Sequence, residues 1–350
     1  MRIAQIAPLT ESVPPRLYGG TERVVSFLTE QLVDMGHDVT LFASGDSVTS
    51  AELAPIWPRA LRFDRDLRDM IAPHLLMLEQ VCRRAHEFDV LHCHLDYWPF
   101  SLFGRQPTPF LTTLHGRLDL AELRPIYDCF PEIPLVSISD AQRAPLPDAN
   151  FVATVQHGLP PGLLTPWPVT PRYLAFLGRI CPEKRPDRAI RIAREVGIEL
   201  KIAAKVDRVD EDYFRTAIQP MMDGPGVELI GEINDAAKPE FLSGAIALLV
   251  PIDWPEPFGL VMIEAMACGT PVIAFNRGSV PEIIEHGVNG LIVNDMAEAI
   301  AAVPRAAAMS RATVRRSFER RFTARRMAED YLAVYRGLVA RARPTLRVAS

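Results

Sequence analysis

Residues 254–273 read WPEPFGLVMIEAMACGTPVI, and they give the clearest indication of the fold class. Two prolines flank Glu256 and hold it in an extended loop, because a residue that precedes proline avoids helical backbone. A helix is predicted to start near Phe258 or Gly259 and to stop at Gly269, and a strand follows over 271–276. A loop, a helix and an apolar strand in this order indicate one repeat of an α/β fold.

The same alternation extends through the whole chain. Strands separated by helices, each apolar on both faces, imply parallel sheets that are covered on both sides. A helix over 21–35 carries one apolar stripe at helical spacing, and Gly36 is the predicted end of that helix. The predicted strands are 2–8, 38–44, 89–94, 109–115, 134–139 and 151–157, and then 173–179, 199–205, 227–232, 245–251, 271–276 and 290–295.

A proline-rich segment at 158–172 interrupts the pattern. Five prolines within it forbid a regular element and predict a stiff interdomain linker. The expected ligand site is a cleft between two doubly wound domains. We therefore predict a Rossmann-like domain over 1–160, a linker over 161–172, a second Rossmann-like domain over 173–325, and a helix with a tail over 326–350 that packs back on the first domain.

Composition and charge narrow the function classes. The 350 residues are 48% hydrophobic with a net charge of -5, which is typical of a globular protein and argues against a nucleic-acid partner. Five cysteines without a CxxC pair, and no apolar run near the ~20 residues of a membrane span, predict a cytoplasmic location. Twelve arginines and three acidic residues follow position 304, and we interpret them as a solvated helix face. The alternative is a patch for anionic lipid or an acidic acceptor, at the inner face of a membrane.

Two glutamates eight positions apart carry the strongest chemical signal. Glu256 lies at the mouth of the predicted helix and Glu264 lies inside it, among apolar residues. Carboxylates accept charge-assisted hydrogen bonds from sugar and ribose hydroxyls. The N–H groups of Phe258, Gly259 and Leu260 would point out of the helix start and favour an anionic or hydroxylated ligand.

A second constellation follows the strand at 173–179. Arg179 and Lys184 stand on the turn before the next helix, with Arg185 as a weaker candidate. Two cations at a strand's carboxyl end suit a diphosphate, and they would neutralise a departing nucleotide without a metal.

Two weaker signals lie in the first half. Gly19 and Gly20, after Tyr18, would let the backbone approach a phosphate at a helix start. His115, at the end of a strand, would hydrogen-bond the transferred sugar. A metal at His92 and His94 is disfavoured because a third ligand is missing.

These residues, in this order, resemble retaining glycosyltransferase family 4, which has the GT-B fold. The resemblance implies that Glu256 contacts the donor sugar, that Glu264 holds the ribose and that Arg179 and Lys184 bind the diphosphate. It also implies His115 beside the reacting sugar, a glycine loop near the distal phosphate, and front-face attack without a divalent metal or any other cofactor. The expected partners are a UDP- or GDP-sugar donor and a saccharide or lipid-linked acceptor.

The chain departs from that family in several places. Ala203-Ala204-Lys205 replaces a commoner Ala-Gly-x-Gly turn, which suggests Lys205 as an extra phosphate contact. Gly278 and Ser279 stand where a Gly-Gly pair is common, and Ser279 with Glu282 predicts a capping box. Two other functions stay open, a nucleotide-sugar epimerase and a non-catalytic nucleotide-sugar sensor. The sequence leaves the base, the sugar, the acceptor and the oligomeric state undecided.

Overall fold

The computed structural model describes residues 1–16 and 19–342. Contacts divide the chain into two compact units. Among the described residues, unit 1 contains 1–158 and 324–342, and unit 2 contains 159–323. The predicted tail beyond residue 342 and Tyr18, which precedes the predicted glycine loop, lie outside the described residues.

The first part of unit 1 alternates strands and helices. Its elements in chain order are β1 Arg2–Ile6, α1 Gly20–Asp34, β2 Asp38–Ser44, β3 Glu52–Trp57, α2 Ile71–Arg84, β4 Val90–Cys93, α3 Phe100–Phe103, β5 Phe110–Thr113, α4 Arg124–Cys129, β6 Leu135–Ser137, α5 Asp140–Arg143 and β7 Phe151–Thr154. All six strands predicted in this half are present, and Gly36 follows α1 with φ 82°.

Unit 2 repeats the alternation, and the chain then closes with one long helix in unit 1. All six predicted strands of unit 2 are present. Its elements are β8 Tyr173–Arg179, α6 Pro186–Val196, β9 Leu200–Lys205, α7 Glu211–Tyr213, a π-helix Phe214–Ile218, α8 Gln219–Met222, β10 Val227–Leu229, α9 Lys238–Ser243, β11 Ala245–Val250, α10 Leu260–Ala267, β12 Val272–Phe275, α11 Val280–Ile283, β13 Gly290–Val293, α12 Met296–Ala307 and α13 Arg311–Arg321, and the closing helix is α14 Ala324–Ala342.

Both sheets are parallel and doubly wound. The strand order is β3-β2-β1-β4-β5-β6-β7 in unit 1 and β10-β9-β8-β11-β12-β13 in unit 2. The order reverses between β1 and β4 in the first sheet and between β8 and β11 in the second. Loops at the carboxyl ends of such strands form the ligand crevice of open α/β sheets. The topology therefore points to the loops after β1, β4, β8 and β11.

One strand was not predicted. Glu52–Trp57 forms β3 and pairs in parallel with β2 at the edge of the first sheet. Pro55 lies inside it, and proline cannot donate to a ladder hydrogen bond. An edge strand has one unpaired side, so it tolerates a proline. The same proline is the reason why the sequence pattern did not predict a strand here.

The closing helix α14 packs against α1 and β4 within unit 1. The apolar stripe of this helix is buried at Met327, Tyr331, Tyr335 and Leu338, whereas Val334 is half-buried. The return of the C-terminal helix to the first Rossmann-like unit is confirmed.

The proline-rich segment contains no helix or ladder strand, as its prolines require. It lies within unit 2, and the boundary falls at Gly158/Leu159 rather than over 161–172. The reason is a set of hydrogen bonds: Arg315 donates to the carbonyls of Pro161 and Leu164, and the amide of Trp167 donates to Ser243 Oγ.

Candidate functional site

The reversal point of the second sheet gathers the residues with the strongest sequence signal. Arg179 is the last residue of β8, and Lys184 follows in the loop before α6. The loop after β11 carries Trp254 and Glu256 and leads into α10. The structure therefore brings two distant parts of the sequence, 179–185 and 251–259, to neighbouring strand ends.

Glu256 is 8% exposed, and two donors share one of its oxygens. Trp254 Nε1 donates to Oε2 at 2.9 Å, and Lys184 Nζ donates to the same atom. The Lys184 ammonium also lies 5.1 Å from the centre of the Trp254 ring. No described residue donates to Oε1 of Glu256, so that oxygen is available to accept from a ligand hydroxyl.

A second loop braces Glu256 from behind. The amide of Ser279 donates to the Glu256 carbonyl at 2.9 Å, and Ser279 Oγ donates to the Phe258 carbonyl at 2.8 Å. Gly278 has φ 53°, and a Cβ there would overlap the backbone nitrogen and oxygen of Glu256. The predicted capping box is therefore wrong, because the Ser279 hydroxyl is used across the loop rather than at its own helix.

The helix α10 begins at Leu260, one residue later than the nearer predicted start. Gly259 precedes it with φ 82°, and a Cβ on Gly259 would lie 2.7 Å from Met262 Cε and 3.3 Å from Glu256 Cγ. Phe258 is buried, with its ring 6.3 Å from that of Phe322. Glycine is thus required for the close approach of the helix start to the Glu256 side chain.

Glu264 lies inside α10 as predicted, and it has a buried partner that the sequence analysis missed. Lys238 Nζ donates to Glu264 Oε1 at 2.6 Å, and the two side chains are 8% and 5% exposed. Lys238 also lies 3.2 Å from Asp235. A buried carboxylate requires such a partner. A lysine at the start of an apolar helix, KPEFLS, is the signal that could have indicated it.

The other predicted phosphate ligands stand among carboxylates. Arg179 lies 3.5 Å from Asp210 and 3.7 Å from Asp207, and Lys205 contacts Asp207 at 2.8 Å. Asp207 therefore joins these two cations. Their side chains are 33% and 20% exposed, so they remain accessible to a ligand.

Arg185 has a structural role in unit 2. It adopts left-handed backbone with φ 52° before α6. Its guanidinium donates twice to Asp187, at 2.8 Å each, and once to Asp253 at 3.1 Å. These bonds raise its pKa. A cavity of about 560 Å3 opens beside it, lined by Glu183, Arg185, Asp187, Tyr213 and Asp253 among others.

In unit 1, the predicted glycine loop precedes α1, which starts at Gly20. A Cβ on Gly19 would lie 2.8 Å from Pro15 Cβ and 3.2 Å from a Glu22 carboxylate oxygen. Burial, with Glu11 nearby, raises the pKa of Glu22 to about 6. The backbone does pack closely here, and it does so beside a carboxyl group with a high proton affinity.

His115 follows β5 and is half-buried in a cluster of histidine rings. Its Nε2 lies 2.9 Å from His94 Nδ1, and its ring stacks on that of His157 with centroids 5.3 Å apart. Its backbone amide donates to Asp96, a residue with φ 47°. Burial lowers the pKa of His115 to about 3 and raises that of Asp96 to about 6.

Two further residues near His115 in the sequence, His92 and Trp98, have other ring contacts. His92 is fully buried and bonds to Thr113 and Tyr335 at 2.7 Å each, so it lines the interior. Trp98 is 37% exposed and contacts the His74 ring edge-on at 4.9 Å. In the part of the chain that the structure describes, no group of three or more His, Cys, Asp or Glu is arranged to hold a metal ion. No helix in that part is long and apolar enough to cross a membrane.

Comparisons with known proteins agree with this architecture. The family described as Glycosyltransferase Family 4 matches residues 18–130, and Glycosyl transferases group 1 matches 165–312. A phosphatidyl-myo-inositol mannosyltransferase of Mycolicibacterium smegmatis is 28% identical over 84% of this chain and 81% of its own.

Solved structures share the fold. A sucrose-phosphate synthase from Thermosynechococcus elongatus superposes with a TM-score of 0.80 at 20% identity, over 97% of this chain and all of that one. Anabaena HepE, in complex with UDP and glucose, superposes with a TM-score of 0.72 at 18% identity over the same shares. With both family matches, two doubly wound parallel sheets and the predicted motif order, the chain is a GT-B-fold glycosyltransferase that belongs to glycosyltransferase family 4.

Proposed function

We propose that the chain transfers a sugar from a UDP- or GDP-sugar to a saccharide or lipid-linked acceptor, with retention and without a metal. The observation that carries the donor assignment is the sharing of Glu256 Oε2 by Lys184 and Trp254 at the β8/β11 reversal point. This arrangement leaves Oε1 of Glu256 for sugar hydroxyls, and it keeps the Lys184 ammonium next to that carboxylate. The Anabaena protein that shares this fold was solved with UDP and with UDP-glucose, which supports a nucleotide donor.

Each predicted donor contact has a proposed task. Glu256 accepts from the sugar hydroxyls, and Glu264 accepts from the ribose hydroxyls while Lys238 donates to its other side. The diphosphate contacts Arg179, Lys184 and Lys205. The first-turn amides after Gly259 add donors, since the first N–H groups of a helix have no intrahelical partner.

The cations replace a metal in this proposal. Lys184 would turn from Glu256 to the β-phosphate, and Arg179 would turn from Asp207 and Asp210. Preorganised positive charge stabilises the negative charge that develops on a leaving phosphate. The cost of each exchange is small, because one ion pair replaces another.

The chemical step follows from retention. The bond between the anomeric carbon and the β-phosphate oxygen breaks, and the acceptor oxygen bonds to that carbon on the same face. The acceptor proton passes to the departing phosphate. We assign hydrogen bonding of the transferred sugar to His115. The acceptor class is proposed from the relatives, of which one is by name a phosphatidyl-myo-inositol mannosyltransferase.

A thermal-shift panel tests the donor site. UDP, GDP, ADP and their sugar conjugates would be added with and without EDTA to the wild type, to Glu256→Gln and to the exposed control Glu240→Gln. A ligand at 100 times its Kd stabilises by about 2.7 kcal/mol. We expect one nucleotide sugar to raise the melting temperature of the wild type and of Glu240→Gln, with EDTA present, and to act weakly on Glu256→Gln.

Four outcomes would contradict the proposal. A shift that EDTA abolishes would overturn metal independence, and equal shifts in wild type and Glu256→Gln would remove Glu256 from the site. Binding without transfer to any acceptor would favour the sensor, and conversion of the donor without acceptor would favour the epimerase. The anomeric configuration of the product, read by NMR, tests retention.

A further inference from the structure

A line of buried hydrogen bonds runs from the closing helix α14 to His115. Gln5 Nε2 donates to the Tyr335 hydroxyl at 3.1 Å, and Gln5 Oε1 lies 2.9 Å from His94 Nε2. His94 Nδ1 lies 2.9 Å from His115 Nε2. Gln5 and Tyr335 are 0% exposed and His94 is 3% exposed. The line therefore exchanges no hydrogen bonds with solvent before it reaches His115.

Only one member of this line has a fixed direction. A hydroxyl group rotates, and a neutral imidazole carries its hydrogen on either ring nitrogen. An amide instead has a donor end and an acceptor end that are set by covalent structure. Because Oε1 of Gln5 can only accept, His94 Nε2 must carry the hydrogen.

The direction then passes to His115. Burial lowers the pKa of both histidines, so each is neutral and carries one ring hydrogen. His94 has its hydrogen on Nε2, so its Nδ1 accepts, and the hydrogen of that bond comes from His115 Nε2. His115 Nδ1 is left with a lone pair, and it forms no hydrogen bond to any residue that the structure describes.

We propose that Gln5 and Tyr335 are positioning residues that fix His115 as the neutral tautomer with its hydrogen on Nε2. Tyr335 holds the amide in this direction when its hydroxyl gives its own hydrogen to His92 Nδ1, 2.7 Å away, because the hydroxyl oxygen can then only accept from Gln5 Nε2. Building on the proposed function, the unprotonated Nδ1 accepts a hydrogen bond from a hydroxyl of the transferred sugar. The C-terminal helix thus determines which hydrogen bond the candidate sugar-binding histidine makes.

The test measures the tautomer directly. The full chain, labelled with 15N-histidine, would be examined by two-bond proton–nitrogen NMR, in which protonated and unprotonated ring nitrogens differ widely in shift. His115→Gln identifies the His115 signals. Tyr335→Phe removes the partner of the amide, and Gln5→Met removes the amide itself.

Tyr331→Phe is the matched control. Tyr331 lies one turn from Tyr335 on α14, is 1% exposed, and bonds to Thr113 at 2.9 Å, so its loss leaves both partners of Gln5 in place. We expect the Nε2–H tautomer in wild type and in Tyr331→Phe, and a mixture of both tautomers in Tyr335→Phe and Gln5→Met. A wild-type His115 with its hydrogen on Nδ1, or an unchanged tautomer in Tyr335→Phe and Gln5→Met, would overturn the proposal.

Kinetics separate this proposal from the proposed function. With the donor found by the thermal-shift panel, Tyr335→Phe should lower kcat/KM about fivefold to tenfold, since one neutral hydrogen bond is at stake, and Tyr331→Phe should change it less than about twofold. If no donor is turned over, the proposed function fails while the NMR result still decides the tautomer. If turnover is present and the tautomer does not respond, only the positioning proposal fails.

Discussion

The two units have the same doubly wound topology, yet the polar groups at their reversal points differ in kind. In unit 1 they include a neutral hydrogen-bonded network, the line from Tyr335 to His115, as well as the ion pair of Glu11 with Arg62. In unit 2 they are ion pairs, such as Lys184 with Glu256 and Lys238 with Glu264. A neutral network holds a direction, whereas an ion pair can exchange one partner for a charged ligand. The comparison suggests that unit 1 orients a group and that unit 2 binds an ionic donor.

We expect the largest effect from acid, which should lower the folding stability of unit 1 at a higher pH than that of unit 2. Seven of the eight histidines lie in unit 1, and burial lowers the pKa of His92, His94, His115 and His157. A lowered histidine pKa contributes stability that is present above pH 6.5 and lost as the pH falls below it, at about 1.4 kcal/mol per pH unit each. Glu22 and Asp96, with pKa values raised to about 6, act in the opposite sense below that pH.

The net expectation is that unit 1 loses stability between pH 7 and pH 5, because four lowered histidine pKa values outweigh two raised carboxyl pKa values. In unit 2 the pKa values of Asp187 and Asp253 are lowered, so their contribution is lost only as the pH falls below 3.8. Hydrogen exchange, resolved by peptide, would measure the free energy of unfolding of each unit. An equal loss of protection in both units by pH 5 would contradict the expected difference between them.

The buried ion pair of unit 2 should give the next effect. Lys238→Met removes the buried cation that pairs with Glu264 and should cost about 3–5 kcal/mol. Lys201→Met is the matched control, because Lys201 and Glu228 form a more exposed pair at 2.8 Å in the same unit, and it should cost under about 1 kcal/mol. Denaturant unfolding of both variants checks this. Equal losses would mean that burial does not distinguish the two pairs.

Substitution in the 278–279 loop, which contacts the backbone of Glu256, should have a smaller effect on stability and a specific effect on the site. Gly278→Ala meets left-handed backbone strain of about 1–2 kcal/mol and an overlap with Glu256 that adds about 1–3 kcal/mol. Gly287→Ala has φ 82° with no atom within 4 Å of the new Cβ, so it reports the strain alone. We expect donor turnover to fall in Gly278→Ala only. Similar turnover in the two variants would show that the 278–279 loop does not position Glu256.

The smallest effect is a gain in stability. Glu22→Gln removes a buried carboxylate whose pKa is raised from 4.5 to about 6, a shift worth about 2 kcal/mol. A carboxyl group with a raised pKa costs stability above the raised value and nothing below its ordinary value. Unit 1 should therefore gain about 2 kcal/mol at pH 8 and nothing at pH 4.5. A gain of the same size at both pH values would assign the effect to packing instead.

Periodicity and composition were sufficient for most of the fold. All twelve predicted strands are present because strands that are covered on both faces read as short apolar runs between helices. Glu52–Trp57 was not predicted because it is a partly exposed edge strand with an internal proline. The capping box failed because Ser279 found a partner in the neighbouring loop, and such a contact leaves no trace in local sequence.

The candidate site was predictable to the extent that its residues form local motifs. Glu256, Glu264, Arg179 and Lys184 stand out by spacing and by the resemblance to family 4, and their roles stay predictions. Lys238, Gly278 and Gln5 did not stand out. Each acts on a residue far away in sequence, Glu264, Glu256 and His94 respectively, so only the folded chain shows the contact.

The alternation of strands and helices, the family and the candidate chemical groups could be inferred from the sequence alone, because these depend on local pattern and composition. The pairing of those groups is visible only in the folded chain. The order of parallel strands places the loops after β1, β4, β8 and β11 at the reversal points, and the packing of α14 against α1 and β4 places that helix in unit 1. Which charge is balanced, and which nitrogen of His115 carries a hydrogen, follows from neighbours across the sheet rather than along the chain.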